Sequence, residues 1–149
     1  MSNFKLLIDS REQHPLEFKH KLITEVITTK LDVGDYGAEL PNGQIIPIFF
    51  ERKSIGDLYS TLSHGYERFK QEIERSKGYN YQIIIIVERN LSTILTGFGY
   101  SSRTPQSIVY QLFTILARYK VWTVFCRDRN EASEYITQFF IGQAKEYLK

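Results

Sequence analysis

Residues 83–87, IIIIV, are β-branched without interruption, and no other stretch constrains the fold as much. Such side chains are stiff at χ1 and suit a pleated surface. A run of them with no polar alternation fits a strand covered on both faces, inside a sheet. That strand needs apolar layers above and below it, and the following sequence supplies them. Ile108, Leu112, Ile115 and Leu116 share one side of a helix predicted over about 105–119, opened by Thr104 as N-cap and Pro105 in the first turn. Ala132, Ile136, Phe139, Phe140 and Ala144 stripe a last helix over about 130–148, with Lys145 and Lys149 near its negative end. Between the two, Val121 to Cys126 reads as another strand.

The first half of the chain has the shorter period of strands. Phe4–Ile8 and Leu22–Leu31 are strands, separated by the charged segment DSREQHPLEF, in which Pro15 disfavours regular structure at His14. VGDYGAELPNGQIIPIFFERK is a hairpin around Pro41, Asn42 and Gly43. From Ser54 the period becomes helical: Ile55, Leu58, Leu62, Phe69 and Ile73 share a stripe, with Gly65 as an irregularity and Gly78 as the stop. The expectation is one α/β domain over residues 1–149, a mixed central sheet, antiparallel early and parallel late, with helices on both faces.

Bulk properties exclude several classes. A chain of 149 residues buries about two thirds of the surface its unfolded form exposes, so it needs no disulfide framework. Cys126 closes an apolar strand and reads as a buried small hydrophobe. No apolar run approaches the roughly 20 residues of a membrane span, and MSNFKLLIDS lacks the pattern of a signal peptide. A cytoplasmic protein is expected. His14, His20 and His64 share no ligand spacing, which argues against a zinc site. A net charge of +2 is compatible with nucleic acid without identifying it.

Chemistry concentrates in FFERKSIGDL, residues 49–58. On a strand, Glu51 and Lys53 leave one face and Arg52 the other. A three-residue hairpin loop at Pro41-Asn42-Gly43 pairs Leu40 with Gln44 and Asp35 with Phe49, which leaves Glu51 diagonal to Asp35 on the same face. Two such carboxylates suit Mg²⁺, which takes hard oxygen ligands and completes its shell with water and substrate phosphate. Asp9, at the end of the first strand, is a further ligand, directly or through water, and Lys53 orients or helps deprotonate the attacking water. Plainer readings stand beside these. Glu51 with Lys53 or Arg52 also fits a solvated ion pair, Ser54 with Asp57 a capping box, Asp35 a turn residue, and Arg11 with Glu12 a surface pair.

Together, IDSREQ (8–13), LDVGDY (31–36) and ERKSIGDL (51–58) are similar to the nuclease domain of the XPF family of structure-specific DNA endonucleases, within the PD-(D/E)XK superfamily. The likeness continues through HGYERFKQEIERSK, YQIIIIVE and the last helix-strand-helix, and so covers the chain. It implies a restriction-endonuclease-like core and a Mg²⁺-dependent endonuclease, with Mn²⁺ able to substitute, acting on branched, flapped or nicked duplex DNA. It implies Asp35, Glu51 and Asp9 as metal ligands, Lys53 as catalytic, and Arg11, Glu12, Arg52 and Asp57 in the active-site network, with Asp57 both capping a helix and holding Arg52 or Lys53. Arg68, Lys70, Arg103 and Tyr66 are the DNA-binding candidates, and Tyr100 and Phe98 are candidates, with Tyr66, for stacking on unpaired bases. The spacing after Gly65 looks like that of short bacterial or phage relatives, which places the protein in a bacterial or phage-infected cell, at the nucleoid when bound to DNA. No helix-hairpin-helix domain is present, so another protein could supply targeting. The resemblance also implies a homodimer through the C-terminal helices. The alternative is a non-catalytic DNA-binding or dimerisation subunit.

Overall fold

The computed structural model describes residues 2–99 and 101–149; Tyr100, a stacking candidate, lies outside the described residues. Six strands form one mixed sheet in the order β2-β1-β3-β4-β5-β6. They are β1 (Phe4–Asp9), β2 (Ile23–Thr29), β3 (Tyr36–Glu39), β4 (Ile48–Lys53), β5 (Gln82–Val87) and β6 (Trp122–Phe125). The isoleucine run is β5, interior to the sheet and parallel to both neighbours. Its alternate side chains enter two separate cores, Ile83, Ile85 and Val87 on one face and Ile84 and Ile86 on the other.

The first face is covered by α1 (Ile55–Leu62), α2 (Tyr66–Gly78), α3 (Leu91–Leu95) and α4 (Pro105–Tyr119), and the second mainly by α5 (Arg129–Tyr147). The expected caps are present: Ser54 accepts from the Asp57 amide, and Thr104 from the Ser107 amide. The stripe running from Ser54 is split at Gly65, whose amide donates to the Ser60 carbonyl, and a Cβ there would lie 3.2 Å from that oxygen. The short α3 was not foreseen; Asn90 caps it through the Thr93 amide.

Two pairings differ from expectation. β2 runs parallel to β1, not antiparallel. Residues 10–22 provide the long crossover that a parallel pair requires, and instead of a helix they contribute Leu16 and Phe18 to the α5-side core. The hairpin loop closes as predicted, with the Leu40 amide donating to Gln44 and the Gly43 amide to Leu40. Beyond Ile46, whose amide still donates to Ala38, the strand bulges at Pro47, and Tyr36 then pairs with Phe50. Two residues, not one, are therefore extra on the β4 side. Asp35 moves from a diagonal position to one directly beside Glu51 and stays on its face.

Candidate active site

The C-terminal ends of β1, β4 and β5 meet the N-terminal end of β3 at one end of the sheet. Backbone rungs join the site residues: the Asp9 amide donates to the Asp35 carbonyl at 2.9 Å and the Asp35 amide to the Phe50 carbonyl at 2.7 Å. Gly34 makes the approach possible. Its φ is +71°, and a Cβ there would lie 2.8 Å from that of Phe49, so no other residue type fits without displacing β4.

Asp9, Arg11, Asp35 and Glu51 line a cleft of about 540 Å³ with Arg68, Glu72 and Arg75. The Asp35 carboxylate accepts from the Arg52 amide at 2.8 Å. Burial raises its pKa to about 6, well above the usual carboxylate range, and the negative charges of Glu12 and Asp9 add to that, against the pull of the Arg52 amide and Lys53. Glu51 is raised as well, first by burial, then by the charge of Asp35, with Glu72 adding and Lys53 opposing. The Lys53 ammonium stands 3.6 Å from Glu51 Oε1. Asp9 is different. Burial raises it, but Arg11 Nε at 2.8 Å and the Leu31 amide at 2.9 Å outweigh that and hold it below the usual range.

Arg52 leaves the opposite face. Its Nε donates to Glu88 at 2.6 Å, and its Nη1 to Glu12 at 3.2 Å and to the His14 carbonyl at 2.6 Å. Tyr36 closes the group by donating to Glu12 at 2.7 Å while accepting from the Leu16 amide. Glu12 and Arg52 thus form a clamp under the site rather than part of its lining. Asp57 lies exposed on the first turn of α1, in no ion pair with Arg52 or Lys53 among the described residues.

Of the DNA-binding candidates, Arg68 reaches the cleft. Lys70 is paired with Glu67 at 2.7 Å and sits over the Tyr66 ring, a local cluster outside the cleft lining. Arg103 bridges the Leu62 carbonyl and Gln111 across α1 and α4. Sequence reasoning missed Glu72, Arg75 and Glu88. The first two follow Arg68 at four and seven positions on α2, the spacing of one helical face, and Glu88 extends the α5-side alternation of β5 by one residue. That spacing was the available signal.

Among the described residues no group of three or more His, Cys, Asp or Glu converges on a common point. Asp35 and Glu51 alone nevertheless fit a hard divalent cation. They are neighbouring oxygen donors whose negative charges are raised in energy by burial and by nearby carboxylates, Glu51 by Asp35 and Asp35 by Glu12 and Asp9, and Mg²⁺ commonly takes one or two carboxylates with water and phosphate filling the remaining positions.

The ERCC4 domain family model matches residues 8–139. Among solved structures, the chain is similar to XPF from Aeropyrum pernix, with 20% identity, a TM-score of 0.65, and coverage of 89% of this chain and 57% of that one. It is also similar to XPF from Aeropyrum pernix in complex with DNA, with 20% identity, a TM-score of 0.62, and coverage of 95% and 66%. At that identity the likeness is one of fold, and this chain spans less than two thirds of the length of either. A comparison with curated proteins gives no match.

Proposed function

The chain belongs to the ERCC4 domain family, and from that premise we propose a metal-dependent endonuclease that hydrolyses phosphodiester bonds in branched, flapped or nicked duplex DNA. The observation that carries the proposal is the pair Asp35 and Glu51, held side by side at the sheet end with Lys53 3.6 Å from Glu51 and with both pKa values raised by burial. A structure of similar fold in complex with DNA supports the choice of partner.

In this reading Asp35 and Glu51 hold Mg²⁺, with Mn²⁺ able to substitute. Once bound, the ion polarises the scissile phosphate and acidifies water. Lys53 orients the attacking water and offsets the charge that develops on the phosphoryl oxygens, the proton of the water leaving to solvent. One P–O bond to water replaces one P–O bond to the strand, leaving a phosphomonoester and a hydroxyl end. Arg11, Arg68 and Arg75 line the cleft and bind flanking phosphates. Asp9 serves through Arg11 and water, since its carboxylate already accepts from Arg11 and Leu31. Arg52 and Glu12 are positioning residues: the Arg52 amide fixes Asp35 while its side chain anchors β4 from below.

We also propose a homodimer, as the resemblance implied. The most exposed large apolar side chains among the described residues are on α4 and the edge strand β6: Tyr110, Phe113 and Trp122 are 75%, 65% and 56% exposed. On α5, Phe139 and Phe140 pack on Phe50 at 5.0 and 5.6 Å, so within the C-terminal helices and their adjoining strand the proposed interface draws its most exposed aromatics from α4 and β6. Among the described residues no helix is long and apolar enough to cross a membrane, which fits the proposed cytoplasmic site of action.

The deciding experiment incubates the chain with labelled linear, nicked, flapped and four-way DNAs, with and without Mg²⁺ or Mn²⁺. Metal-dependent cutting is expected, reduced about 10³-fold by Glu51→Gln and about 10²-fold or more by Lys53→Ala. Binding without cutting under every condition would establish the non-catalytic alternative.

A further inference from the structure

A second cavity, of about 270 Å³, lies beside α1, near the small end of the size range of ligand pockets. Gly56, Tyr59, Ser60, Ser63 and His64 line it, a series at i, i+3, i+4, i+7 and i+8 that marks one side of the helix and its exit. Gly56 is only three residues beyond Lys53, so its Cα lies within about 11 Å of that of Lys53, although the cavity and the main cleft share no lining residue among those described. Phe98 and Arg103 form the other wall, and the Phe98 ring leans on Tyr59 at 5.5 Å.

Two of its hydroxyls find no partner among the described residues: that of Tyr59, a residue 1% exposed, and the buried one of Ser63. Two such orphans on one cavity wall are costly unless something else meets them. The charge also differs from that of the main cleft. Among the described residues no carboxylate lines this cavity, and Arg103 donates to uncharged acceptors: Leu62 O at 2.8 Å, Gln111 Oε1 at 2.9 Å, and Ser107 Oγ and O at 3.1 and 3.3 Å. These bonds hold the guanidinium in place and, among the same residues, leave its charge unmatched by a carboxylate and one N–H free; with several hydroxyls and an aromatic wall, it selects an occupant with an anionic end, hydrogen-bonding edges and a flat face.

We infer that this cavity receives one unpaired nucleotide from the single-stranded arm next to the cut, its base against the Phe98–Tyr59 wall and its phosphate toward Arg103. The inference rests on the nuclease reading and gives it a substrate preference: a paired base cannot enter a cavity of this size, whereas the first unpaired nucleotide of a flap or fork can.

The test places 2-aminopurine at the first or second unpaired position of a flapped DNA and follows its fluorescence as the chain is added in EDTA, with anisotropy of a distant dye reporting binding. Expected are a fluorescence change on binding, loss of that change with Tyr59→Phe and Ser63→Ala, and about fivefold weaker flap binding per lost hydrogen bond with binding to fully paired DNA unchanged. Free deoxynucleoside monophosphate should compete only at much higher concentration than the flap; equal potency would identify a free-nucleotide site and overturn the strand assignment. Binding with no 2-aminopurine response, or equal loss of flap and duplex binding in both variants, would also overturn it. Because these readouts need no cleavage, an inactive chain that still gives the fluorescence response would defeat the nuclease reading and leave the cavity assignment standing.

Discussion

At the end of β4 the two faces of one strand carry opposite electrostatics. On the α5 side, Arg52 is 15% exposed and is met by Glu12, Glu88 and the His14 carbonyl, every group facing a partner. On the other side Glu51, nearly as buried at 17% exposed, faces Asp35 and Glu72 with one lysine to offset them. On one face the guanidinium is met by carboxylates at hydrogen-bond distance, which stabilises the chain; on the other, burial raises the energy of the Asp35 and Glu51 charges, which costs stability and prepares a cation site. Adjacent residues thus divide support from chemistry because a strand alternates its side chains.

The sharpest way to break this contrast is to swap what each face loses. Glu51→Gln should lower metal-dependent cutting about 10³-fold while raising the melting temperature of the metal-free protein, since it removes a costly charge. Arg52→Ala should do the reverse: destabilise by about 3 kcal/mol, because it leaves Glu12 and Glu88 facing each other unpaired, which for a chain of this length is about 6–12 °C in melting temperature. Its residual cutting well below that temperature should stay within about tenfold of wild type, as the amide that holds Asp35 is backbone. Equal thermal shifts in the two variants would erase the distinction.

A pH titration sharpens it further. Asp35 and Glu51 bind protons more tightly folded than unfolded, so between the ordinary carboxylate range near pH 4 and their raised values the native state holds more protons. Stability of the metal-free protein should therefore fall as pH rises through that window. Glu51→Gln should flatten the fall, and added Mg²⁺ should reverse it near neutrality by binding the native state. Asp9 has the opposite sign, losing its contribution only as pH falls below the usual carboxylate range. A melting temperature that rises steadily from pH 5 to 8 without metal would contradict the assignment. The smallest effect expected is that of Arg75→Ala on the cleft wall: weaker binding to all DNA shapes alike, with the slope of log affinity against log salt reduced by about 1.

Where the sequence was informative, the cause was local. The isoleucine run, the Ser54 and Thr104 caps and the Pro41-Asn42-Gly43 loop each carry their own geometry, and all appear as read. So did the shared face of Asp35 and Glu51, for a register that differs from the one expected. The parallel pairing of β1 and β2 was not legible, because it depends on Leu16 and Phe18 finding the α5-side core rather than on any periodicity in residues 10–22. Strand alternation already put Arg52 on the other face; Glu12, grouped with the reacting residues on the strength of the motif, joins it there only through the fold. Glu72 and Arg75 needed the orientation of α2 about its axis, which depends on Phe69 and Ile73 packing inward.

The irregularity at Pro47 sets a rule of parity for this hairpin. Its surplus is an even number of residues, so the alternation resumes in step and the acid still emerges on the cleft side. Loss of one residue there would turn β4 inside out, burying Glu51 over the α5 helix and presenting Arg52 to the substrate, whereas loss of both would restore the original handedness of the strand. Length changes between Gly43 and Phe49 are therefore tolerable in twos and ruinous singly, a constraint that acts on insertions and deletions even though none of the residues concerned touches the reaction.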